Sequence, residues 1–261
     1  MKTKLLFLLF LISFTTVHSQ TFNDGILEYT VTSGINVAVG KYNNVCLTGS
    51  LTIPETVVNN GTTYTITEIR NSAFYNCTNL TSIDLPKSLT NINIRAFYNC
   101  NNLTIVEIPN SVINIGDEAF NYCANLTNVN IPDNLTNLGF SAFANSGITS
   151  VKIPESLTTI NHNTFYNCNN LNDVTLPNTI TTIGDYAFRQ CLNLKQFNVN
   201  WANPLAINTT VFLSTTLANI LLTYPTGIKS LYKAAAVLSV IIIILMLMNG
   251  IIFHFLFLVS H

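Results

Sequence analysis

From Phe74 to Phe188 the apolar positions of this chain return on a fixed period. Phe74, Phe97, Phe120, Phe143, Phe165 and Phe188 are spaced 23, 23, 23, 22 and 23 residues apart, and Pro86, Pro109, Pro132, Pro154 and Pro177 keep the same steps. Apolar triplets such as Leu80/Ile83/Leu85, Leu103/Val106/Ile108 and Leu171/Val174/Leu176 follow in phase. Within a unit, "LTSIDLP" has the pattern of a short strand that a proline ends. "SLTNI" predicts a second short extended stretch, with Leu89 and Ile92 pointing inward. Ala96 and Phe97 then fill the interior before an Asn-rich turn. A unit this small cannot bury its own apolar face, but stacking on identical neighbours does so and builds a solenoid with a continuous core. The one missing residue falls at "FANSGIT", where a turn is expected to shorten without disturbing the strands.

The flanks carry different patterns. Over residues 22–61 polar and apolar positions alternate, with Leu27, Tyr29 and Val31 on one side and an Asn60–Gly61 hairpin signal. An antiparallel β cap over the open first coil is the expectation. Residues 1–19 have two lysines, an apolar run from Leu5 to Phe14 and small residues up to Ser19, the layout of a signal peptide. Residues 237–259 are uncharged and long enough to cross a bilayer. Lys229 and Lys233 precede that segment and no basic residue follows it, which sits badly with export of the body before it. It is read as a membrane anchor, as a segment buried elsewhere, or as the product of a frameshift.

The repeat "LTSIDLPKSLTNINIRAFYNCNN" resembles the unit of the BspA-like leucine-rich-repeat family, and the resemblance covers Thr62 to Asn200. It implies a mainly β fold: a leucine-rich-repeat solenoid of about six 23-residue coils with β caps, to which the tail adds a hydrophobic C-terminal helix. The domain reading is 1–19 signal peptide, 20–61 N-terminal cap, 62–200 repeats, 201–236 closing unit and 237–259 hydrophobic tail. Residues from Trp201 onward look like the family's closing unit. Proteins of this kind are typically secreted or surface-exposed, and adhesion is the role most often attached to them. An exported protein at the cell surface or outside the cell is therefore expected, with 237–259 as its membrane anchor if that segment is genuine.

Composition narrows the chemistry. Of 261 residues 9% are charged, against about 25% in ordinary domains, and the net charge is −1. No basic field exists for nucleic acid. His162 is the one histidine of the repeat body, so neither a His-Cys zinc cluster nor a redundant Ser-His-Asp arrangement can be assembled there. Asp117, Glu118 and Asp185 read as solvated turn residues, because the neighbours of Asp117 one period away are Ile94 and Phe140. No glycine spacing fits a phosphate loop. No catalytic, cofactor-binding or metal-binding residue is assigned, and no cofactor is expected. Cys77, Cys100, Cys123, Cys168 and Cys191 share one repeat position with Ser146 and read as free buried thiols, with inter-coil bridges the alternative. Cys46 has no evident partner.

Surface remains. Asp84, Glu107, Asn130, Lys152, Thr175 and Asn198 lie between inward-facing strand positions and point outward, with Ser82, Ile105, Asn128, Ser150, Asp173 and Gln196 beside them. This strand face is the candidate binding site for an extracellular protein or glycan, in a non-enzymatic recognition or adhesion protein. One other reading is a structural component of the cell envelope that self-associates. A weaker one is a carbohydrate-active or proteolytic enzyme with its site in the caps.

Overall fold

The structure, a computed structural model, describes residues 20–202, 205–216 and 220–226. The expected leader, 1–19, and the expected hydrophobic helix, 237–259, lie outside them. Among the described residues no helix is long and apolar enough to cross a membrane.

The described chain is a mainly β solenoid of about seven coils. One side is built by the strands whose faces the sequence marks as candidates. Parallel strands β4 (Gly49–Thr52), β7 (Leu80–Asp84), β9 (Ile105–Val106) and β11 (Asn128–Val129) form its first half. Its second half is β13 (Ser150–Lys152), β15 (Asp173–Leu176), β17 (Gln196–Val199) and β18 (Leu221–Thr223), also parallel. The predicted second stretch of each unit forms the other side. Here β6 (Thr62–Ile69), β8 (Asn91–Ile92), β10 (Asn114–Ile115) and β12 (Asn137–Leu138) pair in parallel, as do β14 (Thr159–Ile160) and β16 (Thr182–Ile183). Leu89 and Ile92 are both fully buried, as their inward assignment requires.

The third corner of every coil is the aromatic one. The six repeat phenylalanines are at most 2% exposed and stack ring on ring along the axis. A seventh ring, Phe212, stacks on Phe188 at 5.6 Å. It follows Phe188 by 24 residues, so a strict 23-residue ruler stops one coil short. Two residues after the phenylalanine the backbone turns left-handed, at Asn76, Asn99, Asn145 and Asn167. Asparagine tolerates that conformation better than most side chains, which explains the amide in "FYNC".

Three expectations need correction. The cap is not wholly antiparallel. β1 (Thr21–Asn23), β2 (Leu27–Ser33) and β3 (Asn36–Lys41) do run antiparallel, and β5 (Thr56–Asn59) pairs with β6 through the Asn60–Gly61 turn. But β3 joins β6 in parallel, and β4 is already the first strand of the solenoid ladder. Second, Cys46 does have a partner: it forms a disulfide with Cys77, Cα atoms 5.1 Å apart. Among the repeat cysteines only Cys77 has the cap on one side of it; the others follow a preceding coil. Cys100, Cys123, Cys168 and Cys191 are free and buried. Third, the short turn at "FANSGIT" does disturb the strands, since both sheets are interrupted there: β11 does not pair with β13, nor β12 with β14.

Candidate functional site

Parallel stacking fixes which outward side chains become neighbours, because residues in register on adjacent strands lie about 4.8 Å apart. Lys152, Thr175 and Asn198 are in register on β13, β15 and β17 and form a row that Thr223 of β18 extends. Ser150, Asp173 and Gln196 form the row beside it. Asp84 is in register with Thr52, whose hydroxyl donates to its carboxylate at 2.9 Å. Glu107 and Asn130 stand one residue beyond β9 and β11. Ser82, Ile105 and Asn128 line up across β7, β9 and β11.

These six residues are not equally available. The Asn130 amide is committed to its own fold: it donates to the carbonyl of Ile108 and accepts from the Ile108 N–H, both at 2.7 Å. Asn198 is half-buried, donates to Asp173 and Thr175 at 3.3 Å, and accepts from the Thr223 hydroxyl. Thr175 is half-buried as well. Glu107 and Lys152 are exposed, and neither side chain has a hydrogen bond or ion pair among the described residues. Both carry full charges with solvated heads, so either can engage a ligand without first breaking an internal bond.

The acids and the histidine set aside above are bonded between coils, so "solvated turn residues" is too simple. Asp117 accepts the N–H of Phe140 at 2.8 Å, and Glu118 makes a two-pronged ion pair with Arg95 at 2.9 and 3.0 Å. His162 Nδ1 accepts the N–H of Asp185 at 3.0 Å, and Asp185 accepts from Asn208 and Thr210. Each ties one coil to the next at the same corner. Among the described residues no group of three His, Cys, Asp or Glu side chains is arranged to hold a metal. In the cap, a groove of about 520 Å³ runs beside β4 and is lined by Ile26, Leu27, Leu47 and Leu51, with Asp24 as its acid. That carboxylate accepts from the Ile26 and Leu27 N–H groups and from the Tyr29 hydroxyl.

The four free thiols point inward. Cys100, Cys123, Cys168 and Cys191 each donate to the carbonyl of a repeat phenylalanine one coil back, at 3.1–3.2 Å. Burial pushes Cys100 up to about 12 and Cys168 up to about 11, and raises Cys123 and Cys191 as well. Thiols this far above neutral pH hold their protons and are poor nucleophiles.

Sequence reasoning overlooked one surface. Beside the buried phenylalanines the tyrosines of "FYNC" and "FNYC" form an outer row: Tyr75 stacks on Tyr98 at 4.9 Å, and Tyr98 meets Tyr122 at 5.5 Å. The alternation of buried Phe and exposed Tyr is the signal that could have located it. In the first pair the rings lie 9° from parallel and cover each other's faces, so chiefly their edges are open.

The family model that describes the BspA type leucine rich repeat region matches residues 49–172 and 139–237, in six copies. The chain is similar to a crystal structure of a leucine-rich repeat protein from Bacteroides ovatus ATCC 8483, at 27% identity and a TM-score of 0.66. That match covers 77% of this chain and 52% of the other, so the chain spans about half of that protein. A leucine rich repeat protein of T. pallidum shares the fold at 21% identity and a TM-score of 0.53, covering 67% of this chain and 91% of that one. No curated protein matches.

Proposed function

Since the chain belongs to the BspA-type leucine-rich-repeat family, whose proteins are generally surface or recognition proteins, we propose that it is a non-enzymatic recognition protein of the cell surface or the extracellular space. It binds a protein or glycan through the outer face of the side formed by β4, β7, β9, β11, β13, β15, β17 and β18. The observation that carries this reading is the contrast between the two kinds of polar side chain. The acids, amides and histidine at the corners are used up in coil-to-coil bonds. On the strand face Glu107 and Lys152 keep their charged groups free, and Asp84 gives up one carboxylate oxygen to a neighbouring hydroxyl. A repeat solenoid presents such a row along its length, and specificity then lies in which side chain each coil contributes.

The Cys46–Cys77 disulfide, which joins cap to coil, also supports residence outside the cytoplasm, because disulfides persist in oxidising compartments. The test of the reading is a screen of the purified protein against arrayed extracellular-matrix proteins and glycans. A saturable ligand that survives mutation of the tyrosine corner but not of the strand face supports it. A ligand lost through the tyrosine corner alone contradicts it.

A further inference from the structure

The one-residue shortfall between Phe143 and Phe165 leaves a mark on both strand ladders at the coil boundary it creates. At the other boundaries one backbone bond recurs: Asn93 N–H to Ile69, Gly116 N–H to Ile92, Gly139 N–H to Ile115 and Gly184 N–H to Ile160, at 2.8–3.1 Å. At this boundary the Asn161 side-chain amide reaches the Leu138 carbonyl instead. Both sheets lose their ladders at the same place. The ring step is also the widest of the series, 6.0 Å between Phe143 and Phe165 against 5.2–5.6 Å elsewhere.

One corner is spared. Ser141 N–H bonds to the His162 carbonyl, Phe143 N–H to Thr164 and Asn145 N–H to Tyr166, at 2.7–3.1 Å, as in the neighbouring coils. The cause is local. The shortened turn draws Gly147 so close to the preceding coil that a Cβ there would lie 2.3 Å from the Ala124 carbonyl oxygen. Thr149 N–H still reaches the Thr127 carbonyl at 3.2 Å, as its counterparts do in other coils, but beyond it the strands no longer pair.

We propose that this boundary is a hinge that divides the solenoid into two cooperative blocks, pinned from the aromatic corner to Thr149 and able to part along the strands beyond it. Stability in a solenoid is close to a sum of repeat and nearest-neighbour terms, so the weakest interface decides where the array comes apart. The core still crosses the boundary through Phe143, Ile148 and Phe165, which keeps the blocks docked at rest. The division rests on the backbone alone. Its consequence for recognition rests on the strand-face reading: Asp84, Glu107 and Asn130 fall on one panel, Lys152, Thr175 and Asn198 on the other, and a ligand spanning both would fix the angle between them.

Native-state hydrogen exchange of the full chain in graded denaturant, without ligand, tests the hinge separately from the binding face. Amides of β6 to β12 are expected to merge onto one isotherm and those of β13 to β17 onto another. A variant with one asparagine inserted between Ser146 and Gly147 restores the 23-residue step and is expected to bring the two isotherms together. A single isotherm for the unaltered chain overturns the hinge, whether or not the insertion variant folds. A folded insertion variant that keeps two isotherms overturns the assignment of the hinge to the missing residue.

Discussion

Cys46 and Cys77 join the N-terminal cap to the first coil through a disulfide that closes a separation of 31 residues. A loop of that length, held closed in the unfolded chain, is worth about 2–4 kcal/mol. Reduction, or Cys46→Ser, is expected to lower the denaturation midpoint and to open β1–β3 before the rest. Cap amides that exchange no faster after reduction would show that the bond is not what fastens the cap.

Phe120 lies between Phe97 and Phe143, fully buried, with both ring faces covered at 5.2 Å. Phe120→Ala removes both stacking contacts and leaves a cavity that rigid neighbouring coils cannot collapse into. The expected cost is about 3–5 kcal/mol, read from urea unfolding at unchanged slope. A loss below about 1 kcal/mol would mean that the phenylalanine column is not the spine of the fold.

Gly139 sits where one coil presses on the next. An added Cβ would lie 2.4 Å from the Asp117 nitrogen, a backbone atom that has no room to yield. Gly139→Ala is expected to cost about 1–3 kcal/mol by overpacking, although alanine is the better residue for an ordinary chain. An unchanged melting temperature would contradict the close contact.

The four buried thiols make stability fall at alkaline pH. Their folded pKa values are raised by burial, Cys168 to about 11 and Cys100 to about 12, while an unfolded cysteine titrates near about 8.5. Below that pH both states keep their protons and the thiols contribute in full. Above it the unfolded chain releases protons that the folded chain retains, so stability drops until the folded thiols themselves ionise. Denaturant midpoints measured from pH 8 to pH 11 should decline, and iodoacetamide at pH 8 should label Cys100, Cys123, Cys168 and Cys191 only after unfolding. Labelling of the native protein would refute their burial.

How much of this was legible in the sequence follows from what each feature depends on. The period alone exposed the solenoid, since identical units can bury their faces only against each other, and it put Phe97 and Leu89 inside correctly. It missed Phe212 because a 24-residue step breaks a 23-residue ruler. It missed the Cys46–Cys77 bond because Cys46 lies outside the period, and only the path of the cap brings the two together. The interrupted sheets were missed for a different reason: a shortened turn looks harmless until its effect on the register of the following strands is followed. On the candidate face, the outward positions could be read from alternation. Which of them are already occupied could not, because Asn130 and Asn198 are satisfied by neighbours 22 to 25 residues away in sequence.

Recognition at the strand face is tested most directly by a binding measurement with charge-altered faces. The triple variant Asp84→Ala, Glu107→Ala, Lys152→Ala should match the parent in circular dichroism and melting temperature, since exposed substitutions of this kind change stability by about 0.5 kcal/mol or less. Titrated by surface plasmon resonance against the ligand found in the array screen, it should bind at least about tenfold more weakly, a loss of about 1.4 kcal/mol. Unchanged affinity in a folded triple variant would contradict the claim.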